Sequence, residues 1–184
     1  MTQQSITQQS ITLYLGGARS GKSLAAEHCA LALAANTGQL PYYLATGQAF
    51  DDEMKARIAR HKDLRQGQFQ TIEEPIDLAR IINSLANHKD SKNSVILIDS
   101  VGIWLTNLMM AEKDWSEPLD ATIAAIKDGG HHAVFVSDDV GGGIIPENAM
   151  ARQFRDHMGS INQRLASAAK HVSFVIAGIE TKLK

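Results

Sequence analysis

The chain has 184 residues, 44% of them hydrophobic, and 18 Lys and Arg against 20 Asp and Glu give a net charge of −2. Such a length bounds one domain able to bury a sizeable core, and the near-neutral balance leaves no basic excess to attract nucleic acid. No apolar run approaches a membrane span, and the single cysteine, Cys29, can close no internal disulfide, so a small core residue in a reducing cytoplasm is expected.

Taken in order, residues 1–10 are polar and partly repeat, Gln3-Gln4-Ser5-Ile6-Thr7 then Gln8-Gln9-Ser10-Ile11-Thr12. Lacking a basic start and an apolar stretch, they read as a flexible arm and not a targeting signal, with residues 11–184 as the folded domain. The apolar run 11–15 predicts a buried strand, and the Ala- and Leu-rich run 24–35 predicts a helix. Between them stands Gly16-Gly17-Ala18-Arg19-Ser20-Gly21-Lys22-Ser23, which satisfies G-x-x-x-x-G-K-[ST] at every fixed position. Glycines there let the backbone bend its N–H groups toward phosphate oxygens, and the helix N-terminus adds positive charge. Lys22 is placed to reach the β- and γ-phosphates and the Ser23 hydroxyl to ligate Mg²⁺.

Strand and helix then alternate. Residues 41–46 predict a strand that stops at Gly47, and 51–65 a helix with acids first and bases last. Residues 69–74 predict a strand, 76–85 a helix, and 94–99 a buried Val-Ile-Leu-Ile strand ending in an acid. Helices are expected over 101–110 and 119–127, a strand over 132–136, and a long helix over 147–169 with Met150, Phe154, Ile161 and Leu165 on one face. A last strand over 172–177 precedes a tail, 180–184, that could add an edge strand. Continuous apolar strands alternating with helices predict an α/β fold, a doubly wound and mainly parallel sheet of P-loop type with helices on both faces. Functional groups then belong beyond the carboxyl ends of the strands.

That rule selects Asp99, as an acid able to hold Mg²⁺ through water or as a cap for the next helix. It also selects Thr46, Gly47 and Gln48, which a ligand or a simple turn would explain. Within 51–65, helical spacing places His61 in one stripe with Met54, Ile58 and Arg65, and Arg57 beside it. A histidine on such a face is commonly structural, but two arginines are good company for phosphates and would keep the imidazole neutral and nucleophilic.

Many ordered blocks then carry a resemblance. They are the loop at 16–23, Tyr43-Leu44-Ala45-Thr46, Asp52-Glu53-Met54, Arg57-Ile58, His61, Arg65 and Glu73. They continue with Asp99-Ser100, Trp104-Leu105-Thr106-Asn107-Leu108, the stretch from Val140 to Asn148, Arg152, Phe154-Arg155-Asp156 and Asn162-Gln163-Arg164-Leu165-Ala166. In these the chain resembles the bifunctional adenosylcobinamide kinase and adenosylcobinamide-phosphate guanylyltransferases of cobalamin biosynthesis. The resemblance implies a cytoplasmic homotrimer that uses ATP and GTP with Mg²⁺ and acts on adenosylcobinamide and adenosylcobinamide phosphate. It implies that His61 carries a covalent guanylyl group. It also implies that the loop, Thr46, Gly47, Gln48, Lys62, Asp63, Leu64, Arg65, Glu73 and Asp99 surround the nucleotide, in a mainly parallel sheet with one antiparallel strand. Two places depart from the family pattern: Asp138-Asp139 stands where Asn-Glu is usual, and Gly102 where a larger or hydroxylated residue is usual. Three other readings stay open, a P-loop kinase of another metabolite, a nucleotide-dependent switch that binds a protein partner, and a family member that keeps only one activity given the departures at Gly102, Asp138 and Asp139.

Overall fold

The computed structural model describes residues 10–47, 67–87 and 93–184. The helix expected over 51–65, and with it His61 and its arginines, lies outside the described residues, as do Gln48, Lys62, Asp63, Leu64 and Arg65. In chain order the elements are β1 (Ile11–Gly16), α1 (Lys22–Ala34), β2 (Tyr42–Ala45), β3 (Gln70–Glu73), α2 (Leu78–Asn87), β4 (Val95–Asp99), α3 (Val101–Met110), α4 (Ser116–Asp128), β5 (His132–Asp138), α5 (Ala149–Ala168), β6 (His171–Ile176) and β7 (Ile179–Lys182). Among the described residues no helix is long and apolar enough to cross a membrane.

The strands form one sheet in the order β3-β2-β4-β5-β1-β6-β7, parallel throughout except that β7 runs antiparallel to β6. Central strands are apolar on both faces because both are covered, and alternate residues enter different cores. Leu13, Ile96, Ile98 and Phe135 pack with the apolar sides of α2 to α5. Tyr14, Leu97, Val134 and Val136 pack instead on α1, through Ala26, Ala30 and Ala34. That alanine stripe recurs every fourth residue, and its small side chains bring the helix that follows the phosphate loop close against the sheet.

The tail expected as an edge strand is β7, joined to β6 by a two-residue turn. Ala177 (φ 52°) and Gly178 (φ 78°) both take positive φ, which is the hairpin geometry that matches strand twist. The turn also reaches the site: the Gly178 N–H donates to Ser20 O at 2.8 Å.

Two expectations need correction. Helix α5 buries Met158, Ile161 and Leu165, whereas Met150 is 61% exposed. Asn148 caps the helix by accepting from Ala151 N at 3.0 Å, so Met150 stands in the first turn, outside the core that Met158, Ile161 and Leu165 join. Cys29 is only half-buried and borders the α1 core instead of joining it, and burial pushes its thiol pKa up.

Candidate active site

The fixed pattern positions of the 16–23 loop are explained by what surrounds them. A Cβ on Gly16 would lie 2.5 Å from both Ser20 Oγ and the Val175 carbonyl oxygen. Gly21 is the N-cap of α1 with φ 95°, a conformation that a side chain resists, and Gly178 Cα lies close against it. Arg19 also takes positive φ, at 56°, and it is exposed with Ala18 at the loop's outer rim. Lys22 opens α1, yet its ammonium turns back to donate to Gly17 O at 3.1 Å. Ser23 follows, half-exposed in the first turn.

Strand register places the remaining groups along the same edge. Ala45 pairs with both Glu73 and Asp99, and Gly16 pairs with Asp138, so acids end β3, β4 and β5 at the sheet end that carries the loop, with β5 next to β1 and β3 at the far edge. Asp99 does not cap α3. Ser100 does, accepting from Ile103 N at 3.3 Å, while Asp99 accepts a 2.6 Å hydrogen bond from the buried Tyr43 hydroxyl. The cap explanation for Asp99 therefore falls. A Ser hydroxyl and a carboxylate are hard oxygen donors of the kind Mg²⁺ takes, so Ser23 and Asp99 fit the metal chemically. Glu73 is exposed at the end of β3.

Thr46 stands at the edge but its side chain is fully buried. Its hydroxyl donates to Ser100 O at 2.8 Å and accepts from Ser100 N at 2.9 Å. Its own carbonyl accepts from the Asn107 amide at 2.8 Å, and the same amide donates to Pro75 O at 3.0 Å. The buried threonine side chain thus braces the strand ends, and Gly47 continues the chain past it.

Four residues named in the sequence only as family blocks or departures, Tyr43, Ser100, Asn107 and Asp138, gain structural roles here. Asp138 was legible from the strand-end rule, since β5 runs two residues further than its apolar run. Its carboxylate pairs with the Lys22 ammonium at 2.8 Å. The two departures from the family pattern prove to be one feature, because a Cβ on Gly102 would collide with Asp138 Oδ2. Two residues beyond Asp138, Val140 lines an apolar pocket of about 460 Å³ with Met109, Met110, Pro146, Met150 and Phe154.

A phosphate-binding loop between β1 and α1 of a doubly wound sheet, with the strand-end Asp138 beside its lysine, defines a P-loop NTPase-like protein. At the level of fold alone, the structure is similar to the flagellar accessory protein FlaH of Methanocaldococcus jannaschii, with a TM-score of 0.53, 13% identity, and coverage of 96% of this chain and 79% of that one. The chain belongs to the CobU family, cobinamide kinase / cobinamide phosphate guanyltransferase, whose pattern matches residues 12–183. It is 36% identical over 176 residues to the bifunctional adenosylcobalamin biosynthesis protein CobP of Pseudomonas aeruginosa, covering 94% of this chain and 96% of that protein. It is 38% identical over 187 residues to the bifunctional adenosylcobalamin biosynthesis protein CobU of Salmonella typhimurium, covering 94% and 98%. The chain is therefore an enzyme of this bifunctional kinase and guanylyltransferase family.

Proposed function

We propose that this enzyme phosphorylates adenosylcobinamide with ATP or GTP and then transfers GMP from GTP to the product, giving adenosylcobinamide-GDP. The observation that carries the reading is the loop itself: Gly21 at φ 95° starts α1, and Lys22 folds back over Gly17. In the first reaction a hydroxyl of the corrinoid side arm attacks the γ-phosphorus, and Lys22 with the loop amides stabilises the charge that develops. Bound Mg²⁺, with Ser23 and Asp99 as its protein ligands, supplies charge neutralisation on the phosphates. The apolar pocket beside Val140 has room for part of a bulky acceptor.

In the second reaction His61 attacks the α-phosphorus of GTP and expels pyrophosphate, and the acceptor's phosphate then takes the GMP. A covalent carrier divides one hard displacement into two easier ones. The support for His61 is its place between Arg57 and Arg65 in the sequence and the family membership. Gln48, Lys62, Asp63, Leu64, Arg65 and Glu73 complete the guanine nucleotide site in this reading. In this reading the enzyme works in the cytoplasm as a homotrimer, and the exposed apolar residues Ile144, Ile145, Ile176, Ile179 and Leu183 suit a subunit contact.

The test is intact and peptide mass spectrometry after incubation with GTP and Mg²⁺. One GMP should add at His61 through a bond labile in acid and stable in base. His61→Ala should lose the label and the transfer while still phosphorylating adenosylcobinamide. A label on another residue, or full GMP transfer by His61→Ala, refutes the carrier assignment.

A further inference from the structure

We propose that the cavity between α1 and the β6–β7 hairpin is a second ligand site, built for the phosphate group of a small metabolite and separate from the phosphate loop. The inference goes beyond the kinase and transferase reading and does not depend on it. The cavity holds about 360 Å³, at the low end of small-molecule sites, which run from roughly 300 to 1,000 Å³. It lies where β1, β5 and β6 begin, at the opposite end of the sheet from the strand-end acids.

The order of the sheet explains why a cavity forms there. Helix α1 lays its alanine stripe on Tyr14, Leu97, Val134 and Val136, whereas β6 and β7 form the margin of the sheet and β7 is exposed along its whole length. Leu13 and Val172 enter the opposite core, so by alternation Thr12, His171 and Ser173 turn to the α1 side, and Lys182, paired with Ser173, joins them. A covered strand face would carry Val or Leu at these positions, and this one carries hydroxyls, an imidazole and an amine.

The groups present select an oxyanion. Thr12 is 6% exposed and lines the cavity, yet its hydroxyl has no hydrogen-bond partner among the described residues, so a buried donor stands at the wall without an acceptor. His132, 5% exposed, meets Ser10 Oγ through Nδ1 at 3.2 Å, which leaves Nε2 as a second group for the cavity. Lys170 lies close enough to that imidazole for its charge to act on the ring, and Lys182 stands on β7. Neither ammonium has an ion-pair or hydrogen-bond partner among the described residues. One carboxylate, Glu180, borders the same space, but it already accepts from Ser173 Oγ at 2.6 Å, and two ammonium groups outweigh its charge. Among the described residues no arginine lines the cavity, so it lacks the planar fork that matches a carboxylate. Lysines act as point charges, and together with donors from β1 and β5 they suit a tetrahedral phosphate, whose terminal oxygens accept from several directions.

The experiment titrates inorganic phosphate into the full-length Lys22→Ala chain, in which the loop's own hold on phosphate is weakened, and follows the histidine rings by NMR at fixed pH and ionic strength. The His132 and His171 signals should shift together and saturate with one midpoint, and acetate at the same ionic strength should leave them in place. Adding Thr12→Val, which keeps the shape and removes the hydroxyl, should raise the midpoint roughly 10-fold or more, as expected for one hydrogen bond to a charged group. Adding Lys182→Ala, a change on the exposed edge strand, should raise it as well. Shifts that never saturate, an equal response to acetate, or an unchanged midpoint in the Thr12→Val or the Lys182→Ala protein each overturn the proposal. A parent chain that binds phosphate here but never phosphorylates adenosylcobinamide would sink the functional reading and leave this site standing.

Discussion

Asn107 offers the sharpest test of how the site edge is held. It is 5% exposed in the middle of α3, and its amide nitrogen donates to Thr46 O at 2.8 Å and to Pro75 O at 3.0 Å. Both partners are carbonyls, so the amide orientation follows from chemistry: only the NH₂ can face them. Asn107→Leu keeps the size and removes both donors. Each of the two lost bonds costs about 1 kcal/mol net, and leaving the buried Thr46 carbonyl unpaired adds about 1–2 kcal/mol, for a total of about 3–4 kcal/mol. For a domain of this length each kcal/mol moves the midpoint by about 2–4 °C, so Tm should fall by roughly 5–15 °C. Asn107→Asp should be worse than Asn107→Leu at neutral pH, because an ionised oxygen would face two carbonyl oxygens in a buried site. Urea and thermal unfolding followed by circular dichroism measure both, and ATP affinity should weaken as the β2 end loosens. A loss under about 0.5 kcal/mol for Asn107→Leu, or an Asn107→Asp protein more stable than Asn107→Leu, refutes the assignment of these bonds.

Other expectations follow from single contacts. Asp99→Asn should raise the Mg²⁺ concentration needed for half-maximal kinase activity, and Tyr43→Phe, which removes the hydroxyl that orients Asp99, should do the same to a smaller degree. Metal titrations with the same midpoint in all three proteins would count against Asp99 as a ligand. Burial holds the His131 and His132 imidazoles below the usual histidine range, with Lys170 adding to the effect at His132. A depressed histidine pKa gives stability that is present above the unfolded value near 6.5 and is lost on acidification, as the unfolded chain takes the proton first. Urea midpoints should therefore fall from pH 7 to 5, and His131→Asn should flatten that slope; an unchanged slope would show that His131 does not titrate on unfolding.

The order of elements and the phosphate loop were determined by local sequence. Apolar runs of strand length, an Ala-rich stripe every fourth residue in α1, and the spacing of Gly16, Gly21, Lys22 and Ser23 are local patterns, and β1, α1, β4 and α3 fall close to where these patterns put them. Which residues meet across the sheet was decided only in three dimensions. Asp138 and Gly102 are far apart in the chain, and only the adjacency of β5, β1 and the first turn of α3 brings the carboxylate against Lys22 and over the missing Cβ. In sequence Thr46 reads as either a ligand group or a turn residue, and only the pairing of β2 with β4 shows its hydroxyl bracing Ser100. Asp99 could as well have been a cap, until Ser100 took that role and Tyr43 took the carboxylate. Met150 shares a helix face with Ile161 and Leu165 by period, yet in the first turn of α5 it stands exposed at the pocket. Periodicity states which face of an element is apolar; what covers that face depends on where neighbouring elements stop, and that is a property of the assembled sheet.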